Sequence, residues 1–360
     1  MLRRKTCLRP RPADLFVSAV LLCLFALSTG CVISPRRTVG GTTGGGTPTP
    51  TPVPGSAAGK LYVSIPSSNS ILRFDNASTA TGTANPAAVI KGASSTLNSP
   101  QHIFIDEAAD RLYVANQAAA SILVFDAIST KNGSVPPTRT ISGPATSLLA
   151  PSDVAVDTVK NILYVADGVD LLAFNNASTV NSNTAFDRDI KFGFTIAAMY
   201  LDSAFDRLYL VDSGTNAIDV FDSASTLNVT TAPSRQLIGA STLLNQPTGV
   251  AVDATGKLIV ANAGSSSINV YVNAAAINNN TAPVFQITGS NTTLNSPAQI
   301  AVNKSSTKVE VFIANTGGSN IPVFSDLGSA SATGNATPSR NISGASSLVL
   351  PAGVALDTTR

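Results

Sequence analysis

The stretch PSDVAVDTVKNILYVADGVDLLAFN, residues 151–175, holds three short apolar runs, DVAVD at 153–157, LYVAD at 163–167 and LLAFN at 171–175. The runs are rich in Val, Leu, Tyr and Phe and are separated by polar residues and Gly, a pattern typical of β-strands joined by tight turns. The centre of the first run, VAV, does not alternate between apolar and polar residues, which is expected of a strand that neighbours cover on both faces. The stretch therefore predicts three consecutive strands of a buried sheet.

The same pattern returns along the chain, and its period indicates the fold. Runs of the LYVA type begin at 61, 112, 163, 208, 258 and 311, at spacings of 51, 51, 45, 50 and 53 residues. A fourth, weaker run ending in Gly, such as RTISG at 139–143, completes most copies. Four short strands at a period near 50 residues are typical of propeller blades. The sequence predicts an all-β fold, a six-bladed β-propeller with four antiparallel strands per blade, over residues 59–360.

The two ends of the repeat predict how the ring closes. The chain begins its first copy at LYVS, residues 61–64, which corresponds to the second strand of a blade, and finishes at GVALD, residues 353–357, which corresponds to the first. One blade must therefore pair N-terminal strands with the C-terminal strand. Closure of this kind removes exposed strand edges.

The consensus P-x-G-V-A-V-D, followed by L-Y-V-A-D/N and I-x-V-F-D, resembles the NHL repeat and its six-bladed relatives over about 300 residues. The sequence contains no Trp, unlike the WD40 and quinoprotein repeats that rely on it. The resemblance implies the fold but leaves the function open, because such propellers include lyases, lactonases, metal-dependent esterases and binding modules.

The first thirty residues are predicted to be an export signal. Basic residues between 3 and 11 precede LFVSAVLLCLFAL at 15–27, an apolar run too short to span a bilayer. It ends in LSTGC at 27–31, which resembles the lipobox of bacterial lipoproteins, in which the cysteine is acylated and the chain is cut before it. The resemblance implies a signal peptide at 1–30 and a lipid on Cys31; the alternative is an ordinary signal peptide with a chance cysteine.

The rest of the N-terminal region is typical of an anchored protein. Cys7 and Cys23 lie in the predicted signal, so Cys31 is the single cysteine of the mature chain, and acylation would explain a lone thiol in an exported protein. Residues 31–58 are rich in Gly, Thr and Pro and predict a flexible linker. Because Val32 stands where an inner-membrane retention signal has Asp, we expect anchoring in the outer membrane of the cell envelope.

The charge of the mature chain excludes one class of partner. Residues 1–30 contain five of the 23 basic residues and one of the 21 acidic residues, so their removal changes the net charge from +2 to −2. Without a basic patch the chain is not expected to bind nucleic acid. We expect a monomer.

A residue of the Asp or Asn type closes the first strand of every repeat and, in most copies, the second strand as well. Six-fold repetition indicates a structural role, in which each side chain caps the following turn, rather than a ring of ligands. The second position borders the face where ligands usually bind, which makes Asn116 a candidate ligand-binding residue. The first set is Asp106, Asp157, Asp202, Asp253, Asn303 and Asp357, and the second is Asn116, Asp167, Asp212, Asn262 and Asn315.

Departures from the repeat are better candidates for a site. The residues just before each inner strand are predicted to lie where the central channel opens, and they are His102, Asp153, Ala198, Gly249, Gln299 and Gly353. His102, the single histidine, and Asp153 lie on adjacent blades and could bind a metal or act as acid and base. One His and one Asp are few ligands for a metal, so both remain weak catalytic candidates. Together with Gln299 they are also candidate ligand-binding residues.

The resemblance to lactonase and esterase propellers implies a channel calcium held by several carboxylates and Asn side chains. The predicted propeller has Glu107 and Glu310, and neither falls at a predicted channel position. No cofactor is therefore predicted, and calcium is expected only if the protein is an enzyme.

The segment DIKFGFTIAAMYLD at 189–202 is a second departure, because its loop is shorter than in the other copies. Phe192 and Phe194 either line a notch left by this loop, as candidate ligand-binding residues, or pack in the core. Phe104 and Tyr200 replace the Ala of the other inner strands, and either plug the channel or compensate for small neighbours.

These observations predict an envelope-anchored, non-enzymatic binding or interaction module. We expect a protein, a glycan or a small molecule to bind the channel-mouth face, the face on which the inner strands begin. The alternative is a metal-dependent hydrolase or lyase of the lactonase type, with its site at the same mouth around His102 and Asp153.

Overall fold

The computed structural model describes residues 59–229, 231–304, 309–327 and 333–360. Over these ranges the chain forms β-strands and short 3-10 helices, with no α-helix. The predicted signal peptide, lipidation site and linker lie outside the described residues. The 3-10 helices are Pro66–Ser68, Ala93–Ser95, Gln117–Ala119, Ile128–Thr130, Pro144–Thr146, Ala224–Thr226, Ala240–Thr242, Ala274–Ala276, Ser290–Thr292 and Thr316–Gly318.

The strands form six four-stranded antiparallel sheets, the blades of a propeller, which confirms the predicted fold class. In chain order they are β1 Lys60–Ile65, β2 Ser70–Asp75, β3 Ala88–Ile90, β4 Pro100–Asp106, β5 Arg111–Asn116, β6 Ser121–Asp126, β7 Arg139–Ser142, β8 Pro151–Asp157, β9 Ile162–Asp167, β10 Asp170–Asn175, β11 Arg188–Lys191, β12 Ile196–Asp202, β13 Arg207–Asp212, β14 Ala217–Asp222, β15 Arg235–Leu237, β16 Pro247–Val252, β17 Leu258–Asn262, β18 Ser267–Tyr271, β19 Phe285–Ile287, β20 Pro297–Asn303, β21 Glu310–Asn315, β22 Ile321–Ser325, β23 Arg340–Ile342 and β24 Gly353–Asp357. Blade 1 has the order β24-β1-β2-β3, and blades 2 to 6 each take four consecutive strands, from β4–β7 to β20–β23.

The C-terminal strand closes the ring as the sequence predicts. β24 pairs antiparallel with β1, with Leu356 opposite Leu61 and Val354 opposite Val63. All five residues of β24 are buried. The two ends of the propeller therefore share one blade.

The apolar core lies in layers between neighbouring blades. One layer joins Ile122 and Val124 of blade 2 to Leu163 and Val165 of blade 3, and equivalent layers fill the other junctions. Strands inside a blade are apolar on both faces because each face meets another blade. This explains why runs such as VAV do not alternate.

The inner strands β24, β4, β8, β12, β16 and β20 surround the central channel and run in the same direction. They begin on the channel-mouth face and end on the opposite face. Antiparallel pairing returns each second strand to the channel-mouth face, so Pro100 at the start of β4 lies opposite Asn116 at the end of β5. In the described part of the chain, no helix is long and apolar enough to span a membrane.

Candidate functional site

The six residues predicted to line the channel mouth lie at one level of the inner strands, where the side chains of His102, Asp153 and Gln299 contact groups of other blades. His102 and Asp153 are brought together, with Nδ1 of His102 3.2 Å from Oδ2 of Asp153. The relative exposure of these residues is 7% and 1%. The pair therefore lies beneath the surface of the mouth rather than on it.

The Asp153 carboxylate binds the backbone of two blades. Its Oδ1 accepts a hydrogen bond from the Val154 amide in its own strand, and Oδ2 accepts one from the Met199 amide in blade 4, both at 2.7 Å. An inner strand is the edge of its sheet, so its channel-facing amides lack strand partners. Asp153 satisfies two of these amides, because a buried amide without a partner costs stability.

Gln299 of blade 6 also binds backbone groups of two inner strands, on the other side of the ring. Its Oε1 accepts hydrogen bonds from the Val354 amide of blade 1 at 2.9 Å and from the Ile103 amide of blade 2 at 3.2 Å. Its Nε2 donates to the Ile103 carbonyl at 3.0 Å. This reach from blade 6 passes Gly353, where a Cβ atom would lie 2.9 Å from Oε1. Gly353 is therefore required for space.

His102, Asp153 and Gln299 together form a polar plug in the channel. Their polar atoms lie within contact distance of one another or of backbone groups of other blades. Both oxygens of Asp153 and both polar atoms of Gln299 are bound to backbone groups. Catalytic work would require them to leave those partners.

Asn116 points to the same face as His102 but serves the loop that precedes β4. Its Oδ1 accepts a hydrogen bond from the Asn98 amide at 2.6 Å, and its Nδ2 donates to the Thr96 carbonyl at 3.1 Å. Asn315 holds its own loop in the same way through the Asn295 amide at 2.7 Å. These buried side chains fix the loops of the channel-mouth face.

Asp157 and Asp253, two of the acids at the ends of the inner strands, cap turns as the sequence predicts. Asp157 accepts hydrogen bonds from the amides of Val159 and Lys160 at 3.0 and 2.8 Å, and Asp253 does the same for Thr255 and Lys257 at 2.8 and 2.9 Å. Carboxylates in these positions stabilise the tight turn to the second strand.

Phe192 and Phe194 pack on the core between blades 3 and 4. The Phe192 ring lies 5.3 Å from that of Phe221 and 5.4 Å from that of Phe194. Both side chains are partly buried against this layer. The core alternative therefore describes their position, and the short loop leaves them at its edge.

Above the plug, the channel-mouth face has a funnel with a volume of about 410 Å³. Its wall includes Pro66, Ala298 and Leu350, and Gln101 and His102 lie at its floor. The lining is made of small and apolar residues with a few polar groups, the usual composition of a binding pocket.

Below the plug, a cavity of about 160 Å³ is lined by all six inner strands and leads toward the opposite face. Phe104 and Tyr200 lie in its wall, and the Lys304 ammonium sits 4.9 Å from the centre of the Tyr200 ring. Burial lowers the pKa of Lys304. Lys304 and Glu107 line the opening of the channel on the opposite face, and neither was predicted to do so. The sequence signal that could have indicated this location is that each residue directly follows the last residue of an inner strand.

Among residues 59–360 as far as they are described, no three His, Cys, Asp or Glu side chains are grouped so as to hold a metal ion. The plug contains one histidine and one carboxylate, which is fewer than three such side chains.

Comparisons with known proteins agree with this architecture. The model of the NHL repeat family matches residues 244–271, which cover the loop before β16 and the strands β16 to β18. The protein is thus a six-bladed β-propeller that carries a recognisable NHL repeat in blade 5. No curated protein matches the sequence.

Two solved structures show the same fold at low sequence identity. A functionally unknown protein from Desulfotomaculum acetoxidans DSM 771 is 14% identical, with a TM-score of 0.51 over 76% of this chain and 77% of that one. A chain of a nidogen/laminin complex is 13% identical, with a TM-score of 0.57 over 83% of this chain and 98% of that one. At such identities the likeness concerns the fold alone.

Proposed function

We propose that this protein is a non-enzymatic interaction module, an NHL-like propeller that binds a partner on its channel-mouth face. The observation that carries the proposal is that the Asp153 and Gln299 side chains of the plug are already bound to backbone groups. Asp153 and Gln299 hold the backbones of blades 1 to 4, so these two polar side chains near the channel serve the fold. What remains accessible is a shaped surface around the funnel.

Exposed apolar side chains on the loops of this face support a protein as the partner. Leu149 is 80% exposed, and Leu243, Val349 and Leu350 are between 43% and 47% exposed. They lie in the loops that lead into the inner strands of blades 3, 5 and 1. We take these apolar side chains as the contact surface for the partner.

The proposal includes the predicted location. A lipid on Cys31 and the linker at 31–58 would hold the propeller away from an outer membrane with the channel-mouth face free to meet a protein, a glycan or a small molecule. Acylation of Cys31, seen by mass spectrometry of the N-terminal peptide, tests the anchor; a free N-terminus elsewhere would contradict it.

Site-specific photo-crosslinking tests the binding face. A photoreactive amino acid replaces Leu149 on the channel-mouth face or, as a matched control, Val159 on the opposite face, where it is 84% exposed. In the native envelope we expect a discrete adduct from position 149 that excess unlabelled propeller suppresses, and none from position 159. Equal adducts from both positions, or none from position 149, would contradict the proposal.

A further inference from the structure

A basic side chain joins most neighbouring blades on the side of the opposite face. In blade 2, Arg139 reaches into blade 3 and donates to the carbonyls of Ala177 and Val180 at 2.9 and 2.7 Å. Its guanidinium lies 5.9 Å from the centre of the Tyr113 ring. The residue thus binds two carbonyls of a turn and one aromatic face.

Two other junctions repeat this arrangement, and two more have a single carbonyl contact. Arg188 donates to Ala224 and Leu227 over the Tyr164 ring, and Arg340 donates to Ala77 and Ala80 over the Phe312 ring. Arg73 of blade 1 donates to Ser129 in blade 2, and Lys257 of blade 5 donates to Leu327 in blade 6. The turn carbonyls of each receiving blade are therefore a binding site for a cation.

The junction between blades 4 and 5 lacks this bond. Arg235 occupies the position of Arg139, but it donates to Asp222 in its own blade at 2.7 and 3.0 Å. Arg207 donates to the same Asp222. Within the described residues, no basic side chain of blade 4 binds the carbonyls of Ala274 and Ile277, the counterparts of Ala177 and Val180.

A cleft of about 540 Å³ lies at this junction. Ala274 and Asn273 of blade 5 form one wall, and Tyr209 and Arg207 of blade 4 form the other. The Tyr209 hydroxyl is buried and makes no bond to blade 5, whereas its counterpart Tyr113 donates to Ala177 at 3.1 Å. Phe205, at the rim, is 70% exposed.

We propose that this cleft binds a guanidinium group, the side chain of an arginine in a partner polypeptide. Ala274 and Tyr209, which line the cleft, are the counterparts of Ala177 and Tyr113 in the Arg139 junction, and in the described residues no arginine of blade 4 binds the Ala274 carbonyl. Phe205 adds an accessible aromatic face, which attracts cations. The proposal deepens the proposed binding function, on which it rests, by giving the module a second contact on a different surface.

The charges of the cleft are compatible with a cation. Arg207 and Arg235 share Asp222, and Asp202 in the cleft wall supplies a second carboxylate. Two carboxylates thus balance two guanidiniums before a ligand enters. Arg139 and Arg188 show that two carbonyls and a ring hold a guanidinium in this protein.

Calorimetric titration of the full chain with the capped tripeptide Gly-Arg-Gly tests the site. We expect the arginine peptide to bind about tenfold more tightly than the same peptide with citrulline, which has the shape of arginine without the charge. Ala275→Trp fills the cleft and should weaken binding about tenfold. Ala276→Trp is the matched control, since Ala276 is also exposed in the same 3-10 helix but does not line the cleft, and it should bind like the wild type.

A second pair of variants tests the competition with Arg235. Asp222→Ala frees Arg235, which then occupies the carbonyls of blade 5 and excludes the peptide. Adding Arg235→Met removes the competitor and should restore binding. Equal affinity for arginine and citrulline, no binding at about 10 mM peptide, equal loss in both Trp variants, or a double variant as weak as Asp222→Ala would overturn the proposal. None of these outcomes bears on crosslinking from position 149, so the two proposals fail separately.

Discussion

The junction between blades 2 and 3 and the junction between blades 4 and 5 have the same backbone connections. The Ser142 amide donates to the Ser182 carbonyl at 3.1 Å, and the Ile238 amide donates to the Asn279 carbonyl at 3.0 Å. These bonds tie the outer strand of one blade to a loop of the next. The frame of the two junctions is therefore equivalent, and they differ in their side chains.

Four side chains at matching positions of the two donating blades are identical in type. Blade 2 has Arg111, Tyr113, Asp126 and Arg139, and blade 4 has Arg207, Tyr209, Asp222 and Arg235 at the same strand positions. In blade 2 the aspartate binds one arginine and the other arginine crosses to blade 3; in blade 4 the aspartate binds both. The comparison teaches that one set of residues can either join two blades or leave a cleft.

Deleting residues 350–360 should have the largest effect, and it tests whether strand pairing or side chains hold the ring. The deletion removes β24, whose Val354 and Leu356 are 2% and 7% exposed. Each buried side chain of this size contributes about 1.5–3 kcal/mol, so the loss approaches the whole stability of a domain, about 5–15 kcal/mol. Thermal unfolding followed by circular dichroism measures it. An unchanged melting temperature would show that β24 does not close the ring.

The next effect contrasts the two junctions directly. Arg139→Ala should lower the free energy of unfolding by about 2–4 kcal/mol, because it leaves two carbonyls without donors and removes a packed side chain. Arg235→Ala should cost less than about 1 kcal/mol, because the Asp222 side chain that it binds is 39% exposed. Denaturant unfolding measures both. Equal costs would mean that Arg235 also joins its blades in solution.

A buried acid distinguishes blade 4 from blade 2 and predicts a pH dependence. Asp219 stands where blade 2 has Leu123, and burial raises its pKa to about 6. Because the pKa of the carboxyl is higher in the folded chain, the protonated group favours the folded state fully at pH values below the unfolded-state pKa near 4. This contribution is lost as the pH rises to about 6. In Asp219→Asn the free energy of unfolding should therefore change less with pH over this range, and at pH 7 it should be higher by about 1–3 kcal/mol.

Denaturant unfolding at pH 4 and at pH 7 is the measurement for Asp219. Asp222 provides the control, because the hydrogen bond from Arg235 lowers its pKa to about 2. The contribution of Asp222 is therefore lost only as the pH falls from near 4 toward 2. If Asp219→Asn left the slope between pH 4 and 6 unchanged, the carboxyl would not be buried as described.

The smallest expected effect concerns the carbonyl sites themselves. Arg139→Ala vacates the site on blade 3, so a few millimolar methylguanidinium should raise its melting temperature by about 1–2 °C through binding to the folded state. Methylurea, which is neutral, should not do so. Differential scanning calorimetry is the measurement, and equal shifts with both compounds would show that the turn carbonyls do not select a guanidinium.

Much of the candidate site could be predicted from the positions of single residues. The repeat placed His102, Asp153 and Gln299 at one level of the channel, because equivalent positions in a cyclic repeat meet at its axis. The contacts of Gln299 could not be predicted, since they depend on the length of a side chain that crosses Gly353 to reach blade 2. A repeat pattern locates a residue but does not say which neighbour it binds.

The sequence by itself determined the six blades, the four strands of each and the closure through β24, because periodic apolar runs and the register of the chain ends leave one arrangement that buries them. It also determined the turn-capping acids, whose partners lie within a few residues. The tertiary structure alone decided where Arg139 and Arg235 bind. The two arginines share Arg, Tyr and Asp neighbours at matching positions of their own blades. They differ because the Asp222 carboxylate of the same blade binds Arg235, whereas the carbonyls of the next blade, distant in the chain, bind Arg139.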